Sequence, residues 1–143
     1  MPIITQYPKR ATILPGTDTI VTGGALSLVS PSSGTYYAYS AQTGAINDER
    51  SNSFMLRAGT YTFRMLHYAI STAGIATIYI DDVSQGTIDM YSAGGAANTF
   101  GTLSITVVGD GYHTLKIKIA SKNASSSNYR FFAQLYDIYP TAD

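Results

Sequence analysis

Cysteine and tryptophan are absent from this sequence, and it contains a single glutamate, Glu49. Without cysteine there are no disulfides and no thiol nucleophile, so the chain carries no mark of a redox compartment. Charge of either sign is scarce: 13% of the residues are charged, nine basic against nine acidic, for a formal net charge of zero. A chain so balanced has no electrostatic footprint for nucleic acid or anionic lipid. No run approaches the ~20 apolar residues of a membrane-spanning helix. The opening Met-Pro-Ile-Ile-Thr-Gln-Tyr-Pro-Lys-Arg lacks an apolar core of signal-peptide length. The expectation is a chain that partners neither nucleic acid nor membrane and is not routed by a secretory signal. Amphipathic helical periodicity is missing as well.

Tyrosine is plentiful instead, with twelve among 143 residues, alongside much threonine, serine and glycine. That length suits one domain burying roughly 68–70% of its unfolded surface. Abundant aromatic and hydroxyl residues fit strands. On a surface, tyrosine also offers rigid, amphipathic contact area for a protein or a glycan.

The stretch Gly59–Ile119 carries the clearest pattern. Tyr61, Phe63 and Met65 alternate with Thr62 and Arg64, the period-two signature of a strand with one buried face. Ile75–Ile80 leads through an Asp81-Asp82 turn to Gly86–Tyr91. Leu103–Val108 and Tyr112–Ile119 flank Gly109-Asp110-Gly111, and a three-residue hairpin there would pair Ile105 with Leu115 and Leu103 with Ile117. Lys116 and Lys118 then face solvent. Further strands are expected at Thr19–Thr22, Ala25–Val29, Thr35–Ser40 and Ser53–Arg57, with a polar loop through Asn47-Asp-Glu-Arg50. Tyr129–Tyr139 has apolar residues on both of its faces and is stopped by Pro140. Loops are expected at Ala93–Asn98 and Lys122–Asn128. The fold class is therefore all-β, an antiparallel β-sandwich of about eight or nine strands. Four of the five prolines lie in residues 1–34, which read as an extended N-terminal arm docked on the body, a sister subunit or a larger assembly. Residues 35–143 form the sandwich.

Groups suited to catalysis are few. His67 and His113 each fall on the apolar side of a strand, where a hydrogen-bonded core or rim histidine is expected. No nucleophile elbow and no metal-ligand spacing occurs. Asp81 and Asp82, with Asp89 and Asp110 elsewhere, are calcium candidates, or else ordinary turn residues. A glycoside hydrolase would need two carboxylates across a cleft. Asn123-Ala124-Ser125 matches the N-glycosylation pattern. No other cofactor is expected, and the chain reads as a non-enzyme.

Gly59-Thr-Tyr-Thr-Phe, Ile78-Tyr-Ile-Asp-Asp with Gly86, and Gly111-Tyr-His-Thr-Leu-Lys-Ile-Lys, in that order, resemble the jelly roll of galactose-binding-like and carbohydrate-binding modules. Ile88–Ser92 and Lys122–Tyr129 resemble a version found in tailed-phage virion proteins. The likeness covers about residues 59–139. Two departures stand out: Asp82 sits where the hairpin glycine would be, and the tryptophan that stacks on sugars is missing, leaving Tyr36, Tyr37 and Tyr91 to replace it. The resemblance implies a virion component: a capsid decoration (cement) protein or short head fibre, made in the host cytoplasm and carried on the outer surface. It would be a homo-oligomer, trimeric by preference, with the arm gripping major capsid protein or another virion protein. The alternative is a glycan-binding module or a tail-fibre receptor-binding domain.

Overall fold

A computed structural model describes residues 7–13, 19–22, 27–29, 37–39 and 46–141. Among these lie eleven strands: β1 (Ala11–Ile13), β2 (Thr19–Thr22), β3 (Ser27–Val29), β4 (Tyr37–Tyr39), β5 (Asp48–Leu56), β6 (Gly59–Ala69), β7 (Ile75–Ile80), β8 (Val83–Asp89), β9 (Ala96–Val107), β10 (Gly111–Ser121) and β11 (Phe132–Pro140). They form two antiparallel sheets packed face to face as a jelly-roll sandwich. In the six-stranded sheet the order is β3-β4-β11-β6-β9, with β1 also on β11; in the five-stranded sheet it is β2-β5-β10-β7-β8.

The alternation read in the sequence sets the packing. Tyr61, Phe63 and Met65 on β6 point inward, as do Ile105 and Val107 on β9 and Tyr136 and Ile138 on β11. They meet Leu56, Ile78, Leu115, Ile117 and Ile119 of the opposite sheet in one core. Phe63 has no exposed surface, and truncating such a ring costs about 3–5 kcal/mol. At the open side of the sandwich the two edge strands close on each other. A Cβ on Gly101 of β9 would lie 2.4 Å from Ile88 Cγ2 of β8, so that approach needs glycine.

The hairpin expected around Gly109-Asp110-Gly111 is not formed. β9 pairs with β6 along its length, whereas β10 pairs with β5 and β7, so the connection carries the chain from one sheet to the other. Both strands bury one apolar file, and those files face each other across the core rather than lying side by side. Local alternation is the same in either arrangement. The crossing is tied down by its neighbours: Asp110 Oδ1 accepts the Ala58 N–H of the β5–β6 turn at 2.8 Å. His113, on β10, has Nδ1 2.6 Å from Asp81 Oδ2 and Nε2 2.9 Å from the Gly109 carbonyl.

Two further expectations are corrected. The polar loop through Asn47–Arg50 is the start of β5, with Asp48 and Arg50 buried on the file that continues to Phe54 and Leu56. The loop expected at Ala93–Asn98 gives way to β9 at Ala96. The strands described within residues 1–34 belong to both sheets: β1 pairs with β11, β2 with β5 and β3 with β4. The Arg57 N–H also donates to the Pro8 carbonyl at 2.9 Å.

Along β8, Gln85 is the extra residue of a bulge, since Gly86 pairs with Ile78 and Ser84 with Tyr79. Its side-chain Oε1 accepts the Thr106 N–H on the outer edge of β9 at 3.0 Å, and its Nε2 donates to the Val83 carbonyl at 3.1 Å.

Candidate functional site

The outward file of β6 is Thr62, Arg64, Leu66 and Tyr68. Register places Asp137 of β11 on one side of Arg64 and Thr102 of β9 on the other, with Thr12 of β1 beyond Asp137. Phe100, two residues before Thr102, and Tyr139, two after Asp137, share this face because strand side chains repeat every second residue.

Here aromatic rings and guanidinium groups alternate across four strands. The Arg64 guanidinium lies 4.7 Å from the centroid of the Phe100 ring and 5.4 Å from that of Tyr139. Arg10, just before β1, lies 5.6 Å from the same Tyr139 ring. Each contact falls within the range of cation–π attraction. Phe100 is 53% exposed. The Arg64 side chain is 37% exposed, and its Nη2 lies 3.4 Å from Asp137 Oδ2. Asp137 Oδ1 accepts the Thr12 hydroxyl at 3.3 Å. Arg64 Nε is buried and has no hydrogen-bond partner. Farther along this face Tyr68 meets Phe132 edge-on, with centroids 6.0 Å apart.

Of the residues singled out in the sequence, Asp81, Asp82 and Tyr91 lie elsewhere. Asp81 and Asp82 occupy the two-residue β7–β8 turn, both with left-handed backbone (φ 50° and 67°), so position 82 has the conformation that a glycine would supply. Asp81 Oδ1 accepts the Thr114 N–H at 2.9 Å while Oδ2 faces His113, and Asp82 Oδ1 accepts from Lys116 Nζ at 2.7 Å. Tyr91 follows β8 at its other end, half-buried, and its N–H donates to Asp89 Oδ1 at 3.0 Å. A whole strand thus separates Tyr91 from the aspartate turn. Tyr36 lies outside the described residues, and Tyr37 enters the description only as backbone of β4. Among the described residues no group of three metal-ligating side chains occurs.

Of the histidines, His67 is 1% exposed on the inward file of β6, and burial pushes its imidazole down to about 4. A cleft of about 370 Å³ opens between β8 and β9, lined by Ile80, Asp81, Val83, Ser84, Gln85, Thr106 and Val108. Its one carboxylate, Asp81, is the one engaged by His113 and Thr114. The cleft does not present the carboxylate pair that glycoside hydrolysis uses.

No protein-family model matches the sequence, and no curated protein matches it. Solved structures do match. The chain is similar over 94% of its length to a native family 35 carbohydrate-binding module from Clostridium thermocellum, covering 100% of that chain with a TM-score of 0.64 at 12% identity. It is similar over 90% of its length to a carbohydrate-binding module, CBM36, in complex with calcium and xylotriose (TM-score 0.55, 11% identity, 98% of that chain). It also matches a Paenibacillus xanthan lyase over 91% of its length (TM-score 0.74, 18% identity), where it spans only 13% of the enzyme. At these identities the likeness shows the fold.

Proposed function

We propose that this chain is a non-catalytic glycan-binding module that lays a polysaccharide across the outer face of the six-stranded sheet. The observation that carries this reading is the row Phe100, Arg64, Tyr139 and Arg10. The exposed Phe100 ring offers an apolar surface to the C–H side of a sugar, and the guanidinium forks offer donors to its oxygens. The neighbours give independent support, since two of the three are themselves carbohydrate-binding modules.

The virion reading drew on an ordered arm gripping neighbours, together with short length, low charge and a lack of catalytic groups. The pairing of β1, β2 and β3 within this chain counts against the gripping arm, and the carbohydrate-binding neighbours put glycan binding first. Calcium accompanies xylotriose in one neighbour. Asp81 and Asp82 do not fit such an ion. Calcium takes six to eight oxygens, whereas these carboxylates already accept from His113, Thr114 and Lys116, and the ammonium beside Asp82 would repel a cation.

Electrophoresis of the purified chain through gels containing soluble polysaccharides tests the proposal. Retardation by at least one polysaccharide, lost in Phe100→Ala, is the expected result. Free migration through every neutral and acidic polysaccharide tried would overturn it.

A further inference from the structure

We infer that the glycan held on this face is acidic, a polysaccharide carrying carboxylate or sulfate groups; the inference rests on the glycan-binding reading above. It follows from the charge and donor geometry of the two arginines. Each guanidinium presents five N–H donors. Among the described residues, Arg64 meets Asp137 Oδ2 at 3.4 Å, and Arg10 lies against the Tyr139 ring with no carboxylate paired to it. Asp137 is 9% exposed, and its two oxygens meet Thr12 and Arg64.

Two guanidinium forks, of which one is paired with a carboxylate among the described residues, discriminate among ligands by charge. A neutral sugar hydroxyl accepts one N–H and brings no charge to meet them. A carboxylate or sulfate is an acceptor alone, and it takes paired N–H bonds from a planar fork. Stacking against the rings fixes the plane of each guanidinium before a ligand arrives, which lowers the ordering cost of that grip. Both forks lie against one ring, Tyr139, and so are held as a pair. Among the described residues Arg64 is paired with the carboxylate of Asp137 and Arg10 with none, which leaves the row with excess positive charge. A nucleic acid would bring acceptor-only phosphates as well, but a chain of zero net charge exerts no long-range pull on one.

The test is isothermal titration with polygalacturonate and with fully methyl-esterified polygalacturonate, the same sugars with the charge removed. Dextran sulfate against dextran forms the sulfate arm, and a single-stranded oligothymidylate is the control. An acidic polymer is expected to bind about tenfold or more tighter than its neutral form, the preference shrinking as salt rises from about 50 to about 500 mM. The two arms tell carboxylate from sulfate. Arg10→Ala and Arg64→Gln should each remove most of that preference at an unchanged melting temperature, and Arg64→Lys, which keeps the charge without the fork, should restore only part of it. Equal binding of acidic and neutral forms would overturn the inference and leave the glycan reading standing. Binding of no glycan would sink both. Acidic preference untouched in the arginine variants, or tighter binding of the oligonucleotide, would also overturn it.

Discussion

On the outer face of the five-stranded sheet Lys116 lies over the Tyr79 ring and reaches two carboxylates, Asp82 at 2.7 Å and Glu49 at 3.6 Å. On the outer face of the six-stranded sheet two arginines lie over Phe100 and Tyr139, and one of them, Arg64, meets the buried carboxylate of Asp137. The same ingredients give a closed network in one case and an open one in the other. Lys116 is outnumbered by its carboxylates: the hydrogen bond to Asp82 first, then the charge of Glu49, outweigh burial and hold its ammonium above the usual lysine range. The arginine face keeps donors in reserve. What separates the two faces is therefore the number of carboxylates beside each cation, and not the presence of cations or rings.

The largest effect expected concerns what lies beneath each face. His67 is buried on the inward side of the strand that carries Arg64, whereas His113, in the other sheet, has an acceptor at each nitrogen. Above pH 6.5 the His67 imidazole is neutral in folded and unfolded chains alike. Between 6.5 and about 4 the unfolded chain takes up a proton that the folded chain refuses, so stability falls as pH falls. At about 1.4 kcal/mol per pH unit this reaches about 3 kcal/mol near pH 4. Urea titrations should show that loss, and His67→Leu should flatten it across the same window. An unchanged pH slope in the variant would remove the distinction between the two histidines.

Next comes Arg64→Ala, expected to weaken glycan binding by about tenfold to a hundredfold, or about 1.4–2.8 kcal/mol, measured by titration against the tightest polysaccharide found. Lys116→Met on the opposite face is the matched control. It should cost about 1 kcal/mol of stability or less by chemical denaturation and leave binding where it was. Smallest of all, Tyr112→Ala should change neither, although Tyr112 is a far more exposed ring than Phe100. Among the described residues no guanidinium lies against it, so a loss of binding in that variant would mean that exposed aromatics alone make the surface.

Much of the sandwich was legible in the residues. Tyr61, Phe63 and Met65 announce β6 and its buried face, Arg64 falls on the outward side as the alternation requires, and Asp81-Asp82 marks a turn. The misreading at Gly109-Asp110-Gly111 has a physical cause. Strands joined by a short glycine-containing loop look alike whether they pair or cross between sheets, and only the partners β6, β5 and β7 decide. The buried Asp48 and Arg50 hid the first residues of β5 for a related reason, since charge in a core runs against the rule that strand detection uses. The candidate site was illegible as a site because it is assembled from β1, β6, β9 and β11, and strand order across a sheet is a long-range property. Of the tyrosines chosen in place of tryptophan, Tyr91 lies away from it, at the end of β8. The signal available was Arg64 opposite the core file of β6, with Tyr139 two residues beyond an aspartate on the last strand.

Gln85 has a consequence for the fate of the molecule among its own kind. A jelly roll leaves strand edges bare, and a bare edge is a template on which a second molecule can lay down a strand and begin a fibre. By filling the Thr106 N–H with its own carboxamide at the rim of β9, Gln85 removes one rung from that template. Copies at high concentration can then stand shoulder to shoulder with that rung closed to zippering.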